Sequence, residues 1–588
     1  MILQALCEYY ERKGDLAPDG FARVEIPFLI VINMRGEFCA LEDTRQTNGR
    51  QMRAREFLFP KPLPRSGSKS YQVTHLLWDH IGYIAGQAKS EDPKDRALAD
   101  AQHHTWLTAL GELARKYPEE PGIRAMQSFY STGQCARLIA SSTWSECRKI
   151  AGCNMAFRMD GEPDPIPCTH SVHAIAERRL DGEAGPGKGE EVVRHGICLV
   201  TGESTKLARI HTRTPISKDS KSLVNFQRNS GYDSYGKEQG FNAPVSTAAE
   251  AAYTTALNHL LAKDSKQKMQ VGDATTVFWS GRKDSTLEAD FPAFFGLAPR
   301  DDPDAEARAV SALYGSPHTG YLPKGDDTPF YVLGLAPNAA RIAVRFWHVD
   351  TVAGQSAKLR QHLDDLDIVR GPLDPGRRAL MPLLCDLVLQ GKADNVPPNL
   401  AGNVVRAVLS GAPYPQTLLH MAIRRIRAER QVTRMRAAVL KAVLNRTHRL
   451  QPASSKEITV SLDPTNTCPG YVLGRVFALL ERIQLASNNY QEVNAGIRDR
   501  FYGAFSSSPC STYPLLMKLK NHHLRKIERK GEAVNLERLL GEVTDLLPAQ
   551  GPKPHLSLDE QARFAIGYYH QRQALFTKSP KSETPDQA

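Results

Sequence analysis

The sequence changes character at residues 371–378, GPLDPGRR. Proline and glycine at this density stop helices and strands alike. Beyond this point apolar residues recur at i, i+3, i+4 and i+7, as Leu473, Val476, Phe477, Leu480 and Ile483 do. Helices are predicted over 381–389, 399–410, 414–449, 471–488, 491–505, 513–530, 535–547 and 561–575. Asp559 and Glu560 suit the N-terminus of the last one. Short polar loops between helices predict a bundle of antiparallel neighbours. The tail from Lys578 is expected to be disordered. The fold class expected is α+β: residues 1–375 mix antiparallel strands and helices, and residues 376–588 form an all-helical bundle. A bundle that buries its own core predicts that a fragment from about Ala379 folds alone.

Charge follows the same division. Residues 401–588 hold 27 Lys and Arg against 15 Asp and Glu, while the whole chain has a net charge of +11. An excess confined to the C-terminal third points to a polyanionic partner. Residues 424–449 carry Arg424, Arg425, Arg427, Arg430, Arg434, Arg436, Lys441, Arg446 and Arg449 against Glu429. Like charges at helical spacing repel by a few tenths of a kcal/mol each, and a phosphate track would offset that. A second run holds Lys518, Lys520, Arg525, Lys526, Arg529 and Lys530. Arg424, Arg427, Arg430, Arg434, Lys518, Lys520 and Arg525 are therefore candidate nucleic-acid contacts. The plainer alternative is a solvated helical face.

In the N-terminal part, 24–33 and 38–41 read as a strand hairpin around Arg35-Gly36. Residues 50–69 are basic and broken by Pro60, Pro62, Pro64 and Gly67, so they form a loop whose candidates are Lys61, Arg65 and Lys69. Residues 153–159, 275–279, 331–335 and 342–347 read as further strands, and 356–367 as a helix. Residues 181–191 and 299–305 read as an exposed loop and an acidic linker. Between 195 and 263, two short apolar runs precede roughly 35 polar residues and then a helix, with Thr247 and Glu250 spaced as a capping box. A loop this long is usually functional or disordered. It holds Lys206, Arg209, Arg213, Lys218, Lys221, Arg228 and Lys237 against Asp219 and Asp233, interleaved with Phe226, Tyr232 and Tyr235. Cations hold phosphates, aromatics stack on bases, and amides such as Asn225, Gln227, Gln239 and Asn242 can read base edges.

Longer phrases narrow this further. CLVTGE at 198–203, SYGKEQGFNAPVS at 234–246, FRMDG at 157–161, YVLGLAPNAARIAVRFWHVD at 331–350 and the opening MILQALCEYYER closely resemble the large subunit of the type I-C CRISPR Cascade, the Csd-type family. Arg65-Ser66-Gly67 also matches that family's proline-rich segment. The resemblance spans nearly the whole chain. It implies a non-enzymatic subunit that recognises a protospacer-adjacent motif on duplex target DNA, promotes unwinding and stabilises the R-loop. The implied partners are crRNA, the displaced single strand, the backbone, handle-binding and small subunits, and a helicase-nuclease recruited after target binding. No cofactor is implied.

Other chemistries have thin support. The sequence lacks GxxxxGK[ST], HExxH and GxSxG. His348 and Asp350 are the basis of the alternative reading, a stand-alone metal-dependent nuclease. A guide-independent nucleic-acid binder is a third possibility. Cys147, Cys153, Cys168, His170 and His173 cluster without the tight pairs of a structural zinc site, so no metal is expected. Ten scattered cysteines, no apolar run of 18 residues and no signal-like start lead to the expectation of a cytoplasmic protein with reduced thiols and no membrane partner.

Overall fold

The computed structural model describes residues 1–48, 51–63, 65, 69–180, 194–217, 222–227, 231, 235–282, 286–295, 326–339, 341–371, 380–452, 456–491 and 495–576. Two compact units emerge: Leu3–Thr212 with Val224–Leu257, and Arg213–Leu223 with Asn258–Ala588.

The first unit begins with the helix Ile2–Lys13 and then contributes the strands β1 (Phe21–Glu25), β2 (Phe28–Ile32), β3 (Phe38–Asp43), β4 (Gln46–Asn48), β5 (Gln51–Arg53), β6 (Glu56–Pro60), β7 (Trp78–His80) and, after several helices, β8 (Asn154–Met159). The strand expected over 24–33 is two strands, because Pro27 lies between them and has no ladder donor. β1 pairs with β6, whereas β2 enters a four-stranded sheet of order β3-β2-β8-β7. β2 turns into β3 around Gly36 as expected and runs parallel to β8. All five residues of β2 are buried, which explains its unbroken apolar sequence FLIVI. Phe28, Ile30 and Phe157 share a core with Trp106, Leu110, Met126 and Phe129 from the helices Pro93–Lys116 and Pro121–Ser131. A small hairpin, β9 (His195–Ile197) with β10 (Ser204–Lys206), and the helix Thr247–Leu260 follow.

The second unit contains an antiparallel sheet in sequence order: β11 (Lys268–Val271), β12 (Ala274–Ser280), β13 (Pro329–Asn338) and β14 (Arg341–Thr351). Phe278, Phe330, Val332 and Phe346 belong to the same apolar core as Leu359 and Leu363 of the helix Val352–Leu366. That core continues without interruption into the helices beyond 380. Of the expected boundary at 371–378, residues 372–378 lie outside the described residues. The described residues after it form helices only, including Pro398–Ser410, Gln416–Glu429, Arg434–Leu450, Pro469–Ser487, Pro509–Lys526, Lys530–Thr544 and Leu558–Phe576. The single helix expected over 414–449 is two helices, interrupted where Arg430 adopts φ 56°. The loop 181–191, the linker 299–305 and the tail from 578 also lie outside the described residues.

Glycine decides one helix crossing. The helices Pro469–Ser487 and Leu558–Phe576 meet backbone to backbone. A Cβ on Gly474 would strike the Phe564 carbonyl, and one on Gly567 would strike that of Tyr471. Only glycine permits this approach. The Tyr471 hydroxyl and His570 Nδ1 then lie 2.9 Å apart across the same crossing.

Candidate nucleic-acid interface

The loop after β6 is held from beneath by one carboxylate. Asp79 on β7 is fully buried and accepts from the His75 amide at 3.0 Å and the Thr74 hydroxyl at 3.1 Å. Arg65 donates to Asp79 Oδ1 at 3.0 Å and also to Oδ2, to the Val73 carbonyl at 2.8 Å, and lies 4.2 Å over the Tyr83 ring. A guanidinium fork on a buried carboxylate is among the strong side-chain contacts. Arg65 therefore points inward and anchors the loop, where the sequence suggested an outward phosphate contact. His75 Nδ1 accepts from the Leu63 amide at 3.1 Å, and burial pushes its pKa down to about 4. Lys61 Nζ lies 3.6 Å from the Glu250 carboxylate. Lys69 is exposed.

Glu250 corrects a second expectation. The cap of the Thr247–Leu260 helix is Ser246, whose Oγ accepts from the Ala249 amide at 3.1 Å. The expected Thr247–Glu250 box does not form. Glu250 is buried and instead accepts from the Thr212 amide at 2.6 Å. Nearby, His211 Nδ1 and the Tyr253 hydroxyl lie 2.6 Å apart, and burial holds His211 below the usual imidazole range.

The long polar segment uses some of its own recognition chemistry internally. Arg209 donates to Gln239 Oε1 at 2.6 Å. Asn242 donates to the carbonyls of Lys237 at 3.1 Å and Gln239 at 3.0 Å. Gln239 and Asn242 thus brace the loop. Asn225, Gln227 and Lys237 are exposed, and Lys206 is half-buried on β10. Tyr235 stands 98% exposed with φ 53°. Lys218, Lys221 and Arg228 lie outside the described residues.

The basic run 424–449 separates by helix. Arg424, Arg427 and Arg430 are exposed, and Arg425 pairs with Glu429. The next helix is the centre of the core, with every residue from Arg434 to Arg446 buried. Arg434 is thus inside the bundle, not on the surface the charge pattern suggested. Arg436 donates to the Asp386 carbonyl at 3.0 Å and the Gln431 carbonyl at 3.0 Å. Lys441 donates to the carbonyls of Asp364 and Asp365, at 3.3 and 3.1 Å, near the C-terminus of the helix Val352–Leu366. The last carbonyls of a helix lack i+4 amide partners, and here Lys441 supplements the Asp367 cap amide, which donates to the Asp364 carbonyl at 3.2 Å. Arg446 pairs with the Asp365 carboxylate at 2.8 Å, and Arg449 reaches the same carboxylate. These cations satisfy buried acceptors, a role that composition cannot distinguish from phosphate binding. In the later run, Lys518 and Arg525 are exposed, while Lys520 pairs with Glu537 at 3.1 Å.

The sites considered for metal serve structure. His348 Nε2 lies 3.0 Å from Gln355 Oε1, and Asp350 is paired with Lys358 at 2.8 Å. Cys147 and Cys153 are buried free thiols 3.4 Å apart, and Cys168 and His173 both contact the Leu58 carbonyl. Among the described residues, no three His, Cys, Asp or Glu side chains are grouped to hold a metal ion. No described helix is long and apolar enough to cross a membrane.

A family model described as CRISPR-associated protein (Cas_Csd1) matches residues 6–576. No curated protein matches the chain.

Proposed function

We infer that this chain, which belongs to the Csd1 family of CRISPR-associated proteins, acts without catalysis as the large subunit of a type I-C Cascade. It reads the protospacer-adjacent motif on duplex DNA, helps open the duplex and steadies the R-loop. Guide pairing reads the rest of the target, a division of labour known from a different CRISPR effector. The crRNA, the other Cascade subunits and a later-arriving helicase-nuclease are its partners, and the cutting is done by the last of these. The nuclease alternative loses its footing because His348 and Asp350 are engaged by Gln355 and Lys358.

The observation that carries this reading is a set of outward cations. Lys69, Lys237, Arg424, Arg427, Arg430, Lys518 and Arg525 are exposed and form no ion pair among the described residues. Cations in this state shed counterions when phosphate arrives. Among the described residues of the loop, Asn225 and Gln227 are exposed amides, and they take the base-reading role.

The test is reconstitution with crRNA-bearing partner subunits and target duplex across a salt series. Changing Arg424, Arg427 and Arg430 to alanine should lower the salt slope by about 0.7 for each lost single-strand phosphate contact. Asn225→Ala or Gln227→Ala should relax discrimination at one motif position by about 1–3 kcal/mol. An unchanged slope together with unchanged discrimination would remove both surfaces from DNA recognition.

A further inference from the structure

The second unit carries an open groove of about 550 Å³. Leu536, Leu539 and Leu575 lie along it, with Arg482, Arg529 and Arg538 also lining it. Glu532, Leu536 and Leu539 fall at i, i+4 and i+7, so one stripe of the Lys530–Thr544 helix runs along the groove.

Its charge is one-sided. Arg482 and Arg529 form no ion pair among the described residues. Arg538 pairs with Glu542 at 2.6 Å. The one acid in the lining, Glu532, accepts from the Tyr490 hydroxyl. Leu536 is buried at the floor, so the aliphatic contact comes from half-buried Leu539 and Leu575, beside the carboxylate-binding forks of the arginines. Single-stranded nucleic acid stacks its bases on aromatic faces. Here one face of the nearby Tyr490 ring is already covered by the Arg482 guanidinium, 4.3 Å from its centroid. Leucines instead match leucine-like side chains, and arginine forks match carboxylates.

We propose that this groove docks an acidic amphipathic helix from a partner protein, its apolar stripe on the leucines and its carboxylates on the arginines. The inference rests on the groove and is independent of the DNA-recognition reading.

The experiment uses the full chain and fluorescence anisotropy. The probe is a labelled glutamate-rich peptide of about four helical turns with leucine at i, i+3, i+4 and i+7. A scrambled peptide of equal composition and a labelled oligothymidine are the comparisons. The striped peptide should bind about tenfold more tightly than the scrambled one, and Arg482→Glu with Arg529→Glu should remove about tenfold of that affinity. Leu539→Gln should weaken it as well, with an unchanged melting profile establishing that the variants fold. Equal binding of both peptides would reduce the groove to unspecific charge and overturn the proposal. So would oligothymidine binding that alone falls in the variants, or self-association of the wild-type chain that the arginine changes abolish.

Discussion

Arg65 and Asp79 show how a basic stretch can hide an anchor. Removing Arg65 leaves a buried carboxylate without its fork, which costs about 3–5 kcal/mol. Arg65→Ala should therefore raise hydrogen exchange through residues 61–80 and lower the first unit's unfolding midpoint. Arg65→Lys should rescue little, because an ammonium cannot make the planar fork. If Arg65 served only as a phosphate contact, both variants would keep wild-type exchange and change only the salt slope. The positions of the cations were legible in the sequence, but their destinations were not. Asp79 lies 14 residues from Arg65 in a three-residue strand, and nothing in WDH marks its acid as buried. Likewise, Gln239 and Asn242 look like base readers until the loop closes and their amides meet Arg209 and the backbone.

At the scale of elements, the helix Val352–Leu366 is tied to its neighbours by buried polar side chains. His362 Nδ1 lies 2.6 Å from the Tyr414 hydroxyl, and burial, aided by the Arg446 charge, pushes its pKa down to about 3. His570, on the last described helix, is pushed down to about 4, first by burial and then by Lys441. Both are neutral when folded and regain an ordinary pKa near 6.5 when unfolded. The unfolded chain then binds more protons below that value, so stability is full above about pH 6.5 and falls as acid is added toward pH 4. Urea midpoints should be flat from about pH 8 to 7 and decline between about pH 6.5 and 4.5, before most carboxylates titrate. His362→Gln should flatten that decline, and an equally steep one would assign it to other groups. The helices were legible from their apolar period. The break at Arg430 was not, because no glycine or proline announces it and a left-handed arginine makes the turn.

For the whole molecule, the division between α+β and helical sequence was readable, but a cut at that point separates groups that need each other. A fragment from Ala379 would lack Asp365, leaving Arg446, 2% exposed, without its carboxylate. It would also bare the helical surface that covers Phe278, Phe330 and Phe346. Such a fragment should keep far-ultraviolet helical signal, lose near-ultraviolet signal and bind ANS. A fragment from Asn258 retains the sheet and should melt cooperatively. Two equally sharp melts would show that the sheet contributes no required packing.

The notch formed by Gly474 and filled by the helix of Gly567 also sets an order of events during synthesis. Tyr471 and His570, partners across it, are 99 residues apart in the chain. A ribosome moving at roughly 5–20 residues per second takes on the order of 5–20 s to cover that distance. Throughout that interval the helix Pro469–Ser487 has emerged with the face meant for its neighbour still uncovered. The apolar face of that helix around Gly474 therefore stays uncovered in the nascent chain until the residues around Gly567 are made and the crossing can shut.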